Sequence, residues 1–203
     1  MKKIRLVIML LAISAYAYSQ ETKTIYTKDP FSGINSIGYF GGPFVSATQI
    51  NNDWGLMIGG KGGAIINNSL AFGATGMGII SNTTSNCGNY SDIMDAPLQI
   101  GMRGVGIIVE YVFNYENLAH FSIPLNIMGG VIDVKDKNLG VKIESSAIFI
   151  IEPGLNLELN ISRYFISSVN ISYRQIIGSS LKNFDDKVIS GINIGLIFKF
   201  GYY

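Results

Sequence analysis

A strict alternation of apolar and other residues runs through residues 191–202. The even positions are all apolar and read Ile192, Ile194, Leu196, Phe198, Phe200 and Tyr202. The odd positions are mostly small or polar and read Gly191, Asn193, Gly195, Ile197, Lys199 and Gly201. Side chains that alternate with a period of two point to opposite faces of a β-strand. The segment therefore predicts a strand with one apolar face.

The same alternation recurs along the chain and predicts eight strands. They cover residues 36–46, 55–66, 70–80, 99–113, 119–131, 146–159, 163–177 and 188–201. These lengths suit strands that cross a membrane at a tilt, which takes roughly 9–11 residues plus overhang. The only long apolar helix candidate lies at the start of the chain, so the pattern favours strands as the spanning elements.

The connections between the predicted strands alternate in length. Short turns lie at Asn67-Asn68-Ser69, 114–117 and Asn160-Ile161-Ser162, whereas 81–98, 132–145 and 178–187 are long and polar, and 47–54 is intermediate. Transmembrane barrels have short periplasmic turns and longer external loops. The pattern therefore predicts an all-β fold, an eight-stranded antiparallel up-and-down transmembrane β-barrel.

The two faces of the predicted strands differ as a membrane barrel requires. In the sixth strand one face reads Phe149, Ile151, Pro153, Leu155, Leu157 and Leu159, and the other reads Ile150, Glu152, Gly154, Asn156 and Glu158. Aromatic residues recur near the predicted turns, at Phe72, Phe113, Phe121, Phe165 and Tyr202, and are typical of an interfacial girdle. Charges on the polar faces are sparse, whereas a solvated face carries many. We therefore expect the apolar faces to meet lipid.

The chain begins with the pattern of a secretory signal peptide. Lys2, Lys3 and Arg5 precede a short apolar run, and small residues follow up to Gln20. We expect a signal peptide over 1–20, a polar periplasmic lead-in over 21–35 and the outer-membrane barrel over 36–203.

Charge and cysteine content narrow the possible functions. Without the three basic residues of the signal peptide, the 15 basic residues fall to 12 against 14 acidic ones, and this balance does not suggest nucleic acid as a partner. Cys87 is the single cysteine, so no disulfide forms within the chain.

Several motifs resemble those of the small outer-membrane β-barrel proteins of Bacteroidota, of OmpA/OmpX-like size. They are Gly41-Gly42-Pro43-Phe44, Gly59-Gly60-Lys61-Gly62-Gly63, the segment 151–160, Ser172-Tyr173-Arg174 and the terminal strand. The terminal strand is also similar to the signal read by the barrel assembly machinery, at Asn193, Gly195, Phe198 and Phe200. The resemblance implies the outer membrane of a Gram-negative bacterium, with outer-membrane lipid and the assembly machinery as partners. It implies no substrate.

The polar faces place six charges in the expected lumen. They are Lys61, Arg174 and Lys199 against Glu110, Glu152 and Glu158. An eight-stranded barrel is just wide enough for side chains to fill, and buried charges there must be paired. We expect a plugged interior of balanced ion pairs. The alternative is a narrow pore for ions or small solutes, with the same network as its barrier.

His120-Phe121-Ser122 has the His-x-Ser spacing of the outer-membrane lipid A deacylases. Residues two apart share a strand face, so the imidazole could reach the hydroxyl. No carboxylate on the same strand orients the imidazole, since Asp133 and Asp136 are expected in the next loop, and His120 lies near a periplasmic turn. A lipid A-modifying hydrolase is therefore only a third hypothesis.

The remaining candidates for chemistry predict no cofactor. Cys87 has no second cysteine or histidine beside it, so we expect no metal site in 81–98. The glycine run around Lys61 lacks the spacing of a phosphate loop. The sequence therefore predicts a non-enzymatic outer-membrane protein with a structural or surface-interaction role.

Overall fold

The computed structural model describes residues 36–50, 53–80, 84–85, 98–136, 139–182 and 184–203. The predicted signal peptide, the lead-in up to residue 35 and most of 81–98, including Cys87, lie outside these residues. The eight long strands are β1 Ile37–Ile50, β2 Asp53–Ile66, β3 Leu70–Ile79, β4 Leu98–Phe113, β5 Ala119–Asp136, β6 Lys142–Ser162, β7 Phe165–Ile177 and β8 Gly191–Tyr202. A single helical turn, α1, covers Asp186–Ile189, and a two-residue strand, Thr84–Ser85, pairs with the start of β4.

The strands pair antiparallel with their neighbours, and the sheet closes into a ring. β1 pairs with both β2 and β8, and β3 pairs with both β2 and β4. The predicted all-β, eight-stranded antiparallel barrel is thereby confirmed.

The ring is staggered. A path that starts at Ser122 on β5 and moves to the paired residue on each next strand reaches Ile79, at the end of β3. It passes through Asn156, Asn170, Gly195, Ser46 and Met57. On the other side of Ser122, its partner Val112 donates its amide to the carbonyl of Ser69, at the start of β3. Because the path returns to the opposite end of the same strand, the strands are tilted against the barrel axis.

Asparagine makes the turn between β2 and β3 tight. Asn67 and Asn68 have φ angles of 51° and 52°, and the amide of Ser69 donates to the carbonyl of Ile66 at 3.0 Å. Asparagine tolerates this left-handed conformation, which suits the twist of a short hairpin. The turn predicted at 160–162 lies instead at residues 163–164, because β6 continues to Ser162.

Several predicted strand limits are wrong on the side of the long loops. β5 continues to Asp136 and β6 begins at Lys142, so Asp133 and Asp136 lie in a strand and not in a loop over 132–145. β1 and β2 likewise extend into the segment predicted as a connection over 47–54. In these segments the strands continue, but polar side chains occupy positions that are apolar elsewhere. The sequence therefore does not show the apolar alternation that predicts a strand. β8 starts at Gly191 and not at 188, because the preceding residues form α1.

The outer wall of the barrel is apolar. On β8, Ile192, Ile194, Leu196, Phe200 and Tyr202 are exposed, whereas Asn193, Ile197 and Lys199 are buried. Of the aromatic residues predicted near the turns, Phe72, Phe113, Phe121 and Tyr202 are exposed, and Phe165 is half-buried with its ring stacked 4.8 Å from that of Phe200. Within the described residues, no helix is long and apolar enough to cross a membrane.

The barrel interior holds two apolar clusters. The loop-side cluster consists of Ile50, Met57, Met77, Ile100, Met102, Met128, Ile132, Val134, Ile148, Ile150, Ile176, Leu181, Phe184 and Ile189. The turn-side cluster consists of Phe40, Ile65, Ala71 and Val112, with Tyr115 and Tyr203 packed against it. Inward positions of the strands between these clusters carry the buried polar side chains. The prediction of a lumen filled by charges is therefore incomplete, because apolar side chains occupy both ends.

Candidate functional site

Alternation along four strands brings six polar side chains together in the lumen. This charge cluster consists of Glu110 on β4, His120 and Ser122 on β5, Asn156 and Glu158 on β6, and Lys199 on β8, all buried. Lys199 Nζ lies 2.8 Å from Glu110 Oε1 and 2.6 Å from Glu158 Oε1. One lysine therefore bridges two carboxylates from different strands.

Neutral groups complete the charge cluster. Ser122 Oγ lies 2.5 Å from Glu110 Oε1 and 2.9 Å from Glu158 Oε1, and Asn156 Nδ2 donates to Glu110 Oε1 at 2.7 Å. Buried carboxylates are tolerated only when hydrogen bonds and opposite charges replace lost water. Ser122 and Asn156 supply such bonds, although Glu110 Oε2 has no partner among the described residues.

His120 belongs to the same cluster. Its Nε2 lies 3.1 Å from Glu158 Oε2, and its Nδ1 lies 3.4 Å from the carbonyl oxygen of Asn117. The carboxylate that contacts the imidazole therefore comes from β6, where Glu158 pairs in register with His120. The hydroxyl of Ser122 bonds to carboxylates, so this geometry does not present His120 as its base. The contact between His120 and Glu158 depends on the register of the strands around the ring, which the sequence alone does not show.

Arg174 lies apart from the charge cluster. Its Nη1 donates to Thr48 Oγ1 at 2.5 Å and to Asn193 Oδ1 at 3.3 Å, and its Nη2 donates to the carbonyl oxygens of Gln49 at 2.8 Å and Ile189 at 3.1 Å. Within the described part of the chain, no carboxylate lies at ion-pair distance from this guanidinium. Arg174 thus joins β1, β8 and the end of α1 through neutral acceptors.

The other two predicted lumen charges also lie outside the charge cluster. Glu152 accepts a hydrogen bond from Ser172 at 2.8 Å through Oε1, and its Oε2 has no partner among the described residues. Lys61 is buried, and it forms no ion pair with a described carboxylate. Of the six residues predicted to form one balanced network, Glu110, Glu158 and Lys199 are joined by ion pairs. Lys61, Glu152 and Arg174 are buried as well, and they form no ion pair among the described residues.

A folded segment closes the loop-side mouth of the barrel. This mouth segment comprises residues 178–182 and 184–190, and it places Leu181, Phe184 and Ile189 in the loop-side cluster. The carboxylate of Asp186 accepts hydrogen bonds from the amides of Gly178 and Ser179, both at 2.9 Å. The segment predicted as a long polar loop is therefore fixed against the barrel by apolar and polar contacts.

Aromatic rings close the turn side. The rings of Tyr115 and Tyr203 lie 5.5 Å apart, and Tyr115 also lies 5.5 Å from the ring of His120. Burial, together with nearby negative charge, raises the pKa of both phenols. Among the described residues, no group of three or more His, Cys, Asp or Glu is placed to hold a metal ion.

The four residues of the predicted assembly signal occupy both faces of β8. Asn193 is buried against Arg174 and Thr48, whereas Phe200 is exposed and Phe198 is half-buried on the outer wall. Gly195 faces the interior, where an added Cβ would lie 2.1 Å from Ser46 Oγ. Close packing thus explains the glycine, and recognition by the assembly machinery stays a prediction.

Comparison with known proteins places the fold. No protein-family model and no curated protein matches the chain. The structure of Neisserial surface protein A (NspA) matches with a TM-score of 0.57 at 10% identity, over 83% of this chain and 99% of NspA. The N-terminal β-barrel domain of Pseudomonas aeruginosa OprF matches with a TM-score of 0.53 at 8% identity, over 82% of this chain and 97% of that domain. The chain therefore has the eight-stranded fold of small outer-membrane β-barrel proteins.

Proposed function

We propose that the protein is an integral outer-membrane β-barrel with a sealed interior and a structural or surface-interaction role. The observation that carries this proposal is the distribution of charge. Outward positions of the eight strands are uncharged except at Arg103, Asp133, Lys135 and Lys142, which all lie near the loop side. The buried inward positions, in contrast, carry Lys61, Glu110, Asp136, Glu152, Glu158, Arg174 and Lys199. An uncharged apolar wall around a polar interior suits lipid as the surrounding solvent.

The packing of the lumen supports a sealed barrel over a pore. Ile100, Ile132, Ile150 and Ile176 come from four successive strands, and each is fully buried. The mouth segment and the ring of Tyr203 lie on either side of this layer. A conducting pore needs a continuous polar path, which these apolar layers interrupt.

The geometry around Ser122 supports a role without catalysis. A lipid A hydrolase needs a nucleophile that its base can activate and that the lipid can reach. Ser122 is fully buried between the two apolar clusters, and its hydroxyl bonds to Glu110 and Glu158. Export by the predicted signal peptide and an origin in Bacteroidota are parts of the proposal that rest on the sequence motifs alone.

Heat-modifiable mobility in detergent gels tests the membrane proposal. We expect the protein to fractionate with outer membranes and, when unheated, to migrate at a different apparent mass from the boiled chain, because a closed barrel resists unfolding by detergent at room temperature. A protein that stays in the soluble fraction and shows no shift would contradict the proposal.

A further inference from the structure

The only charges on the outward face of the barrel strands lie together on three adjacent strands. This basic rim consists of Arg103 on β4, Asp133 and Lys135 on β5, and Lys142 on β6. It contains three cations and one carboxylate. The rim lies directly above the apolar wall, since Val105, two residues below Arg103 on the same face, is 70% exposed.

A β-bulge places Lys142 in the rim. The register between β5 and β6 shifts between Val134 and Lys135, so that Lys135 pairs with Lys142 while Val134 pairs with Glu144. A bulge re-aims the side chains that follow it. The bulge inserts one extra residue into β6 between Lys142 and Glu144. Without the bulge, Lys142 would point to the inward face with Glu144 and Ser146, and the outer face would have one cation fewer.

The carboxylate of Asp133 is already engaged by one side of the rim. Its Oδ1 lies 2.6 Å from Lys142 Nζ and 2.7 Å from Ser145 Oγ, whereas its Oδ2 lies 3.7 Å from Arg103 Nη2. Asp133 is only 11% exposed, and Arg103 is 71% exposed. Asp133 therefore orients Lys142. The guanidinium N–H groups of Arg103 form no hydrogen bond within the described part of the chain.

We propose that the basic rim binds the phosphate of a phosphorylated glycolipid headgroup in the outer leaflet, an inference that rests on the proposed function. In the proposed outer-membrane barrel the long loops face the outside of the cell. The basic rim, on the loop side, therefore lies at the height of the outer-leaflet headgroups. An arginine guanidinium offers paired N–H donors that match phosphate oxygens, and neighbouring lysines add positive charge. The surplus of cations over carboxylates matches an anion in charge, and the apolar wall below receives the acyl chains.

Binding of purified lipids to the refolded protein tests the site. The full chain is folded in detergent, and native mass spectrometry compares diphosphorylated lipid A, its dephosphorylated form and phosphatidylglycerol. We expect the diphosphorylated glycolipid to bind best. Replacing two cations, in the double variant Arg103→Gln/Lys142→Gln, is expected to weaken its binding by at least about tenfold.

The matched control removes two cations elsewhere on the same side of the protein. Lys182 and Lys187 are exposed in the mouth segment, away from the outer wall, so Lys182→Gln/Lys187→Gln should bind the glycolipid as the unchanged protein does. Equal binding by the rim variant, or equal binding of the dephosphorylated lipid or of phosphatidylglycerol, would overturn the site. Those results would leave the barrel proposal intact if the protein still showed heat-modifiable mobility. Loss of that mobility would instead overturn the proposed function.

Discussion

The buried ion pairs of Lys199 show how single residues set the character of the lumen. Lys199 Nζ is within 2.8 Å of two carboxylate oxygens, and its side chain is nearly inaccessible. Removing one partner from such an arrangement leaves uncompensated charge in a medium of low polarity. The lysine therefore matters less for attraction than for preventing two carboxylates from facing each other alone.

We expect Lys199→Met to lower the free energy of unfolding by about 3–5 kcal/mol, the cost of breaking a buried ion pair from one side. Urea unfolding of the protein reconstituted in lipid vesicles measures this change. The exposed Lys182 provides the control, because Lys182→Met should shift stability by less than about 0.5 kcal/mol. Similar unfolding midpoints for the two variants would show that the charge cluster contributes nothing to stability.

At the scale of elements, the mouth segment depends on a strand for its position. Arg174, on β7, donates to the carbonyl oxygen of Ile189 and so holds the end of α1. A second bond, from the amide of Ile176 to Ser190 Oγ at 2.9 Å, joins the same two elements. A single helical turn is too short to be stable in isolation. Its order therefore comes from these attachments and from the apolar contacts of Ile189.

Arg174→Met should loosen the mouth segment without opening the ring. We expect amide hydrogen exchange at Val188 and Ser190, which bond within the segment, to become faster by about tenfold or more, since charge-assisted hydrogen bonds are lost. Exchange at Ser69, in the opposite turn, should not change. Arg163→Met, in the turn between β6 and β7, is the control. Unchanged exchange at Ser190 in Arg174→Met would refute a role for Arg174 in holding the segment.

The alternation of apolar and polar residues predicted the strands well in the part of the barrel expected to face lipid. It predicted them poorly at the loop-side ends of the strands, outside that part. On β8 every outward residue between Ile192 and Tyr202 is apolar, so the pattern is unbroken. On β5 the outward row passes from Val131 to Asp133 and Lys135, and the sequence there is typical of a loop although the strand continues. The partners of the lumen charges were harder to predict, because they depend on the stagger of the whole ring. Glu158 meets His120 through strand register, over a sequence separation of 38 residues.

At the scale of the whole molecule, polar and apolar layers succeed one another along the barrel axis. The turn-side cluster, the charge cluster and the loop-side cluster close the lumen in sequence. Each layer draws side chains from several strands, so no single side chain forms the barrier. A change at one lumen charge therefore leaves the other layers in place.

Planar-bilayer recordings should show no channel activity for the unchanged protein or for Glu152→Gln. Neutralising Glu152 removes one lumen charge but leaves the apolar layer around Ile150 intact, so the ion path stays closed. Discrete conductance steps from correctly folded protein would contradict the sealed interior and support the pore alternative. Steps that appear only in Glu152→Gln would identify this carboxylate as part of the barrier.

The pairing of β1 with β8 has a consequence for the order of folding. This ladder joins residues from the two ends of the barrel, such as Tyr39 and Tyr202, and it is interrupted at Gly42 and Pro43, where proline has no amide hydrogen to donate. Every other ladder of the ring connects strands that are neighbours in sequence. Closing the longest chain loop costs the most entropy and depends on the most distant contacts. The β1–β8 ladder is therefore expected to form last when the barrel inserts and to separate first when the barrel unfolds.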